Sequence, residues 1–195
     1  NRIRDCIVVG IWNGGKLRHS EYFPQKPFEM LPKIAQDSIM KKHRSPEMPL
    51  FAAEIQSDNY LRFLVKELKP FIDKKYPTRH GRADTFIAGS SMGGLISMYA
   101  MCEYPKIFGG AACLSTHWPG IMPGENNPVP AVFLKYFEKK LPSPKTHRFY
   151  FDHGLVGLDA FYAPFQAEAD AILQKNGFDQ SNWLTKIFPE DDHSE

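Results

Sequence analysis

Apolar runs of two kinds alternate along the chain. Near its start Cys6–Ile11 ("CIVVGI") is an unbroken, largely β-branched run, the pattern of a strand buried on both faces. Asn13–Gly15 ("NGG") breaks it, and Ser20–Met48 is an irregular insertion without a clean period, holding one short helix near Ile34–Lys41. Between Asp58 and Lys75, Leu61, Leu64, Val65, Leu68, Phe71 and Ile72 recur at a three-four spacing, which predicts an amphipathic helix that Pro70 kinks or breaks. Strands are expected at Thr85–Ala88, Gly110–Ser115, His147–Phe151 and Trp183–Phe188. Helices are expected at Leu95–Glu103, Phe133–Lys139 and Ala160–Lys175, the last stopped by Gly177. Strands alternating with helices imply an α/β fold: a mostly parallel sheet flanked by helices on both faces. In such sheets ligands gather beyond the carboxyl ends of the strands. The candidate loops are therefore Trp12–Gly15, Gly89–Gly93, Thr116–Pro119, Asp152–Asp159 and Pro189–His193.

A length of 195 residues suits one α/β domain, and an apolar share of 43% with evenly spread charge indicates a globular chain. The net charge of +2 gives no electrostatic footprint for nucleic acid or a membrane surface, and no apolar run is long enough to span a bilayer. Cys6, Cys102 and Cys113 all sit inside apolar runs; an odd number at wide spacing is not a disulfide framework. They read as buried free thiols, which fits a reducing compartment and slightly favours the cytoplasm without requiring it. The chain enters a strand soon after Asn1 and ends just after another, so a fragment of a longer domain is expected.

Chemistry concentrates in one turn. Gly89–Gly93 ("GSSMG") fits G-x-S-x-G between an expected strand and an expected helix, the context that a nucleophile elbow demands. So sharp a turn crowds the residues two before and two after its centre, and Gly89 and Gly93 remove the Cβ atoms that would clash. Ser91 then takes an unfavourable backbone conformation and presents its hydroxyl above the sheet; Ser90 is one residue out of register. The N–H of Met92, at the start of the following helix, is a candidate oxyanion donor. A serine hydroxyl needs a general base. His19, His43 and His80 read as surface residues. His193, in the loop after the last strand, fits the chain order of nucleophile, acid and then histidine. The acid stays open between Asp159 and Asp152 in "FDHGLVGLDAFY"; Asp159 also suits a helix N-cap. Asp191 and Asp192 lie too near His193 in sequence to point easily at its far ring nitrogen. Trp12, His117, Trp118, Phe161 and Tyr162 lie in post-strand loops and are candidates to line a pocket for an aromatic or sugar ester, or simply to pack.

The stretches "CIVVGIWNGG", "RHSEY" (Arg18–Tyr22), "AGSSMGG", "FDHG" and "DDHSE" together resemble the putative esterase family of α/β-hydrolases. That family includes S-formylglutathione hydrolases, feruloyl and acetyl-xylan esterases, enterochelin esterases and mycolyltransferases. The resemblance implies the α/β-hydrolase fold, with the N-terminal strands and final helix outside this chain. It also implies Ser91 as nucleophile, His193 as base, a second oxyanion donor upstream of Asn1, no metal or cofactor, and a structural ion pair between Arg18 and Glu21. Relatives carry a small polar residue and then an acid just after the glycine of the "D-x-G" segment, where this chain has Leu155, Val156 and Gly157. The expected activity is cleavage of a small carboxylic ester through an acyl-enzyme. The alternatives are acyl transfer to another acceptor, or a non-catalytic relative that binds through the same cleft.

Overall fold

The computed structural model describes residues 5–122, 124 and 126–193. Two short helices, α1 (Arg18–Tyr22) and α2 (Gln25–Glu29), precede α3 (Lys33–Met40) and a two-stranded hairpin of β1 (His43–Ser45) and β2 (Met48–Pro49). These give the irregular insertion more order than its composition suggests, because Phe23, Phe28, Phe51 and Phe133 pack edge to face and supply a local core. Ser57–Lys75 then runs as α4 (Ser57–Phe63), a π-helical turn (Leu64–Leu68) and α5 (Lys69–Lys75). The wide turn ends just before Pro70, whose missing N–H and bulky ring disfavour an ordinary α-helical continuation. The expected kink is thus realised as a local change of helical pitch.

The main sheet contains β3 (Phe86–Ser90), β4 (Gly110–Leu114), β5 (Arg148–Gly154) and β6 (Trp183–Phe188), all parallel and in chain order. They are joined by α6 (Met92–Glu103), α7 (Val129–Lys140) and α8 (Ala163–Lys175). Right-handed crossovers that always step in the same direction lay all their helices on one face. On that face Ala111, Cys113, Phe149 and Phe151 are buried, Phe137 of α7 packs on Phe149 and Phe151, and Asp170 of α8 reaches Thr185. The expected helices on both faces are therefore corrected: Phe86 and Leu184 on the opposite face are more than half exposed. α6 is apolar nearly all round and almost wholly buried, as befits a helix enclosed between the sheet and other helices.

The expected strand at Cys6–Ile11 is not formed. Strand propensity is realised only where a neighbouring strand supplies the ladder, and among the described residues none flanks this run. Val8 and Trp12 are 85% and 96% exposed, and Cys6 is exposed rather than buried. Trp118 lies at the other extreme. It is fully buried, its ring packs near Phe137 and Phe151, and its indole N–H donates to Gln166 Oε1 at 3.0 Å.

The register sets the ends of β3 and β4 level, pairing Ser90 with Leu114, and aligns Leu114 with Asp152, two residues before the end of β5. The chain turns from β3 directly into α6, and a Cβ on Gly89 would lie 2.6 Å from the carbonyl of Gly93. A Cβ on Gly93 would meet nothing, so only one of the two glycines is sterically required. Gly89→Ala is expected to destabilise the protein by about 1–3 kcal/mol through overpacking, whereas Gly93→Ala should be neutral or raise stability by up to about 1 kcal/mol. Denaturant titration of both variants checks this. By the same measurement Trp118→Ala should cost about 3–5 kcal/mol. Trp12→Ala should stay within about 0.5 kcal/mol of the parent.

Candidate functional site

Ser91 is the N-cap of α6, with φ 58° and ψ −120°, a conformation that L-residues rarely adopt. Its backbone is held on three sides. Its N–H donates to Leu114 O at 2.9 Å, and its carbonyl accepts from Leu95 N–H at 3.1 Å and His117 N–H at 3.2 Å. Ser90 still belongs to the sheet, and its Oγ is buried without a partner. Met92 opens α6, so its N–H is among the first-turn donors that the helix itself leaves unsatisfied.

Asp159 is buried at 0% exposure, and three segments converge on it. Oδ1 accepts from His193 Nδ1 at 2.6 Å, while Oδ2 accepts from Ser115 Oγ at 2.6 Å and from Gly154 N–H at 2.8 Å. Burial by itself raises the carboxyl pKa, but the hydrogen bonds from Ser115, Gly154 and His193 together hold it below the usual value. The residue starts a short 3₁₀ turn (Asp159–Phe161), and α8 is capped by Tyr162, so the N-cap reading of Asp159 does not apply. Asp152 is turned elsewhere: its Oδ1 accepts the Ser115 N–H at 3.0 Å. Ser115 itself sits at φ 38°. Sequence reasoning missed it; its only signal was its place just ahead of a candidate loop.

A carboxylate accepts and does not donate, so the bond to Asp159 fixes the proton of neutral His193 on Nδ1 and leaves Nε2 with its lone pair free. Tyr162 stands edge-on to the His193 ring, with centroids 5.6 Å apart. The Tyr162 hydroxyl lies 2.6 Å from His117 Nδ1. Burial, and then the charges of His19 and His193, push the His117 pKa down to about 3, so its ring is neutral. Burial likewise raises the Tyr162 pKa, which keeps its hydroxyl protonated.

The residues expected to line a pocket fall in different settings, and Tyr162 is buried beside His117. His117 is buried against the turn, Trp118 is core, and Trp12 is exposed in the N-terminal segment. Phe161 is 55% exposed beside the acid loop. His19 is buried rather than at the surface, its Nε2–H donating to Gly120 O at 2.8 Å and its ring standing edge-on to Phe51. Arg18 stacks over Tyr22 and makes no ion pair with Glu21 among the described residues, because Glu21 lies against Gly14 instead. The last two residues of "DDHSE" lie outside the described residues.

Known proteins share this arrangement of chain. Over 70 residues, 36% of its length, the chain is 33% identical to a protein of Arabidopsis thaliana described as "Probable carboxylesterase SOBER1-like". That match spans 27% of the plant protein. An IroE-like serine hydrolase from Shewanella oneidensis superposes with a TM-score of 0.62 at 17% identity, covering 90% of this chain and 51% of the other. A CE1 ferulic acid esterase of the anaerobic fungus Anaeromyces mucronatus gives a TM-score of 0.56 at 22% identity, covering 71% and 48%. The chain thus spans about half the length of these solved relatives, and the likeness is one of fold. Residues 30–181, most of the chain, match the family described as "Putative esterase". The chain therefore belongs to the putative esterase family and has the α/β-hydrolase fold.

Proposed function

We propose that this chain carries the catalytic centre of a carboxylic-ester hydrolase, with Ser91 as nucleophile, His193 as general base and Asp159 as the acid that orients it. The observation that carries this reading is the 2.6 Å contact from His193 Nδ1 to a fully buried carboxylate. Of the two acids left open by the sequence, the geometry supports Asp159, since Asp152 is committed to Ser115. In the proposed cycle Nε2 of His193 takes the Ser91 proton as Oγ attacks the acyl carbon, and Asp159 stabilises the imidazolium so formed. The Met92 N–H donates to the oxyanion. His193 then returns the proton to the leaving alcohol. Water, deprotonated by the same nitrogen, cleaves the acyl-enzyme and restores Ser91. Membership of the family supports the reaction class. Trp118, being core, lends no support to an aromatic alcohol pocket, so the proposal names no narrower substrate.

A fluorophosphonate probe should label the protein at Ser91, and Ser91→Ala should lose both the label and turnover of a short-chain nitrophenyl ester. Labelling that persists in Ser91→Ala would assign the nucleophile elsewhere. A folded, unlabelled parent would favour a binding protein. For Asp159→Asn the acylation rate should fall by about 10³–10⁴-fold, because the amide presents the wrong partner to Nδ1.

The same variant tests linkage. A carboxyl whose folded pKa is depressed contributes stability above its unfolded pKa, and loses it as the pH falls through the folded value. Raising the pH through the ordinary carboxylate range should therefore stabilise the parent more than Asp159→Asn. Urea midpoints taken at a series of acidic pH values measure the difference.

A further inference from the structure

The apolar "GLVG" that stands where relatives carry an acid has a structural partner of its own. Asp192 Oδ1 accepts the backbone N–H of Leu158 at 2.9 Å and that of His193 at 2.6 Å. The carboxylate thus bridges the residue just before the acid to the residue that is the base. Gly157 makes room for it. This glycine has φ +57°, and a Cβ there would overlap the Asp192 carboxylate. One step earlier the two loops touch through backbone alone: Val156 N–H donates to Asp191 O at 3.2 Å, and a Cβ on Gly154 would overlap that same carbonyl. Two glycines in one loop therefore face two consecutive aspartates in the other.

We propose that Asp192 is a positioning residue that holds the loop of His193 against the acid loop and so fixes the imidazole on Asp159. This rests on the reading of His193 as base. Without the bridge, the segment after β6 is tied to the acid loop by the Val156 bond and by the Asp159–His193 contact itself. An imidazole whose backbone is free to drift samples the bonded geometry for a smaller fraction of the time, and small displacements of a catalytic group are costly in rate. The carboxylate acts here as a two-fold acceptor, so an amide in the same place, offering one carbonyl oxygen, replaces much of its function.

The test compares Asp192→Ala, Asp192→Asn and Gly157→Ala in the full chain by two readouts. The first is kcat and KM on a short-chain nitrophenyl ester. The second, independent of turnover, is the far-downfield proton resonance of a His Nδ1–H bonded to a carboxylate, assigned to His193 by its loss in Asp159→Asn. Asp192→Ala should lower kcat about fivefold or more with KM within about twofold, and should broaden or abolish the resonance. Asp192→Asn should keep the resonance and most of kcat. Gly157→Ala, whose methyl displaces the carboxylate while Asp192 itself is kept, should behave like Asp192→Ala and serves where that variant fails to fold. Full kcat with an unchanged resonance in Asp192→Ala or Gly157→Ala overturns the proposal, as does Asp192→Asn behaving like Asp192→Ala. A parent that hydrolyses no ester, yet loses its resonance in Asp192→Ala, leaves the positioning role standing and refutes the hydrolase reading instead.

Discussion

Everything near the turn depends on one carboxylate buried away from solvent. Asp159 is fully buried, and a buried ionised group is tolerated only where hydrogen bonds and an opposite charge replace its hydration. Its donors come from three places that are distant in sequence: Ser115 just past β4, Gly154 at the end of β5, and His193 beyond β6. Satisfying this one group therefore draws three strand ends together. Its requirement for donors also explains two local oddities, the positive φ of Ser115 and the tight return of the chain from Gly154 to Asp159. Asp152 has a share in this, since its grip on the Ser115 N–H steadies the residue that donates to Asp159.

The sheet supplies the frame in which that convergence is possible. Parallel strands in chain order carry their carboxyl ends to one edge of the sheet, so the turn after β3, Ser115 after β4 and the loop after β5 open onto one rim. Two residues on this rim other than glycine, Ser91 and Ser115, have positive φ. Each is locked by backbone hydrogen bonds to a neighbouring strand end, Ser91 to Leu114 and Ser115 to Asp152. The regular ladder thus sustains strain that neither turn would hold alone, and it does so where side chains must be aimed.

Much of this was legible in the sequence, for identifiable reasons. The period of the apolar residues located β3 to β6 and α6 to α8 because those elements are long and packed on one another. The elbow was legible because its steric demand leaves a mark in composition, although Gly93 proved free of that demand. Cys6–Ile11 misled because β-branched residues report a preference, while a strand requires a partner that local pattern does not reveal. The acid was undecidable for a related reason. Asp152 and Asp159 stand in one loop with equal chemistry, and what separates them is the Ser115 hydroxyl, more than forty residues away and unmarked by any motif. The Arg18–Glu21 pair, inferred from resemblance rather than from the residues, gave way to stacking on Tyr22.

The site also sets apart two imidazoles that the sequence reads differently, His117 as a pocket candidate and His193 as the base by chain order. His117 and His193 both follow strands and both approach Tyr162. His117 is buried, and burial together with neighbouring positive charge keeps it neutral down to a pKa of about 3, with Nδ1 occupied by the Tyr162 hydroxyl. A base gains a proton during the proposed reaction, and among the described residues no carboxylate is bonded to His117 to compensate the resulting charge. His193 has Asp159 at 2.6 Å, and its side chain keeps 20% exposure. A ring that stays neutral suits a buried position beside the Ser91 backbone, where it can hold Tyr162 in place. A ring that must ionise needs both a buried counter-charge and access to solvent. On the proposed reading of His193 as base, the difference between a structural histidine and a working one lies in what faces the ring, and Asp159 makes that distinction.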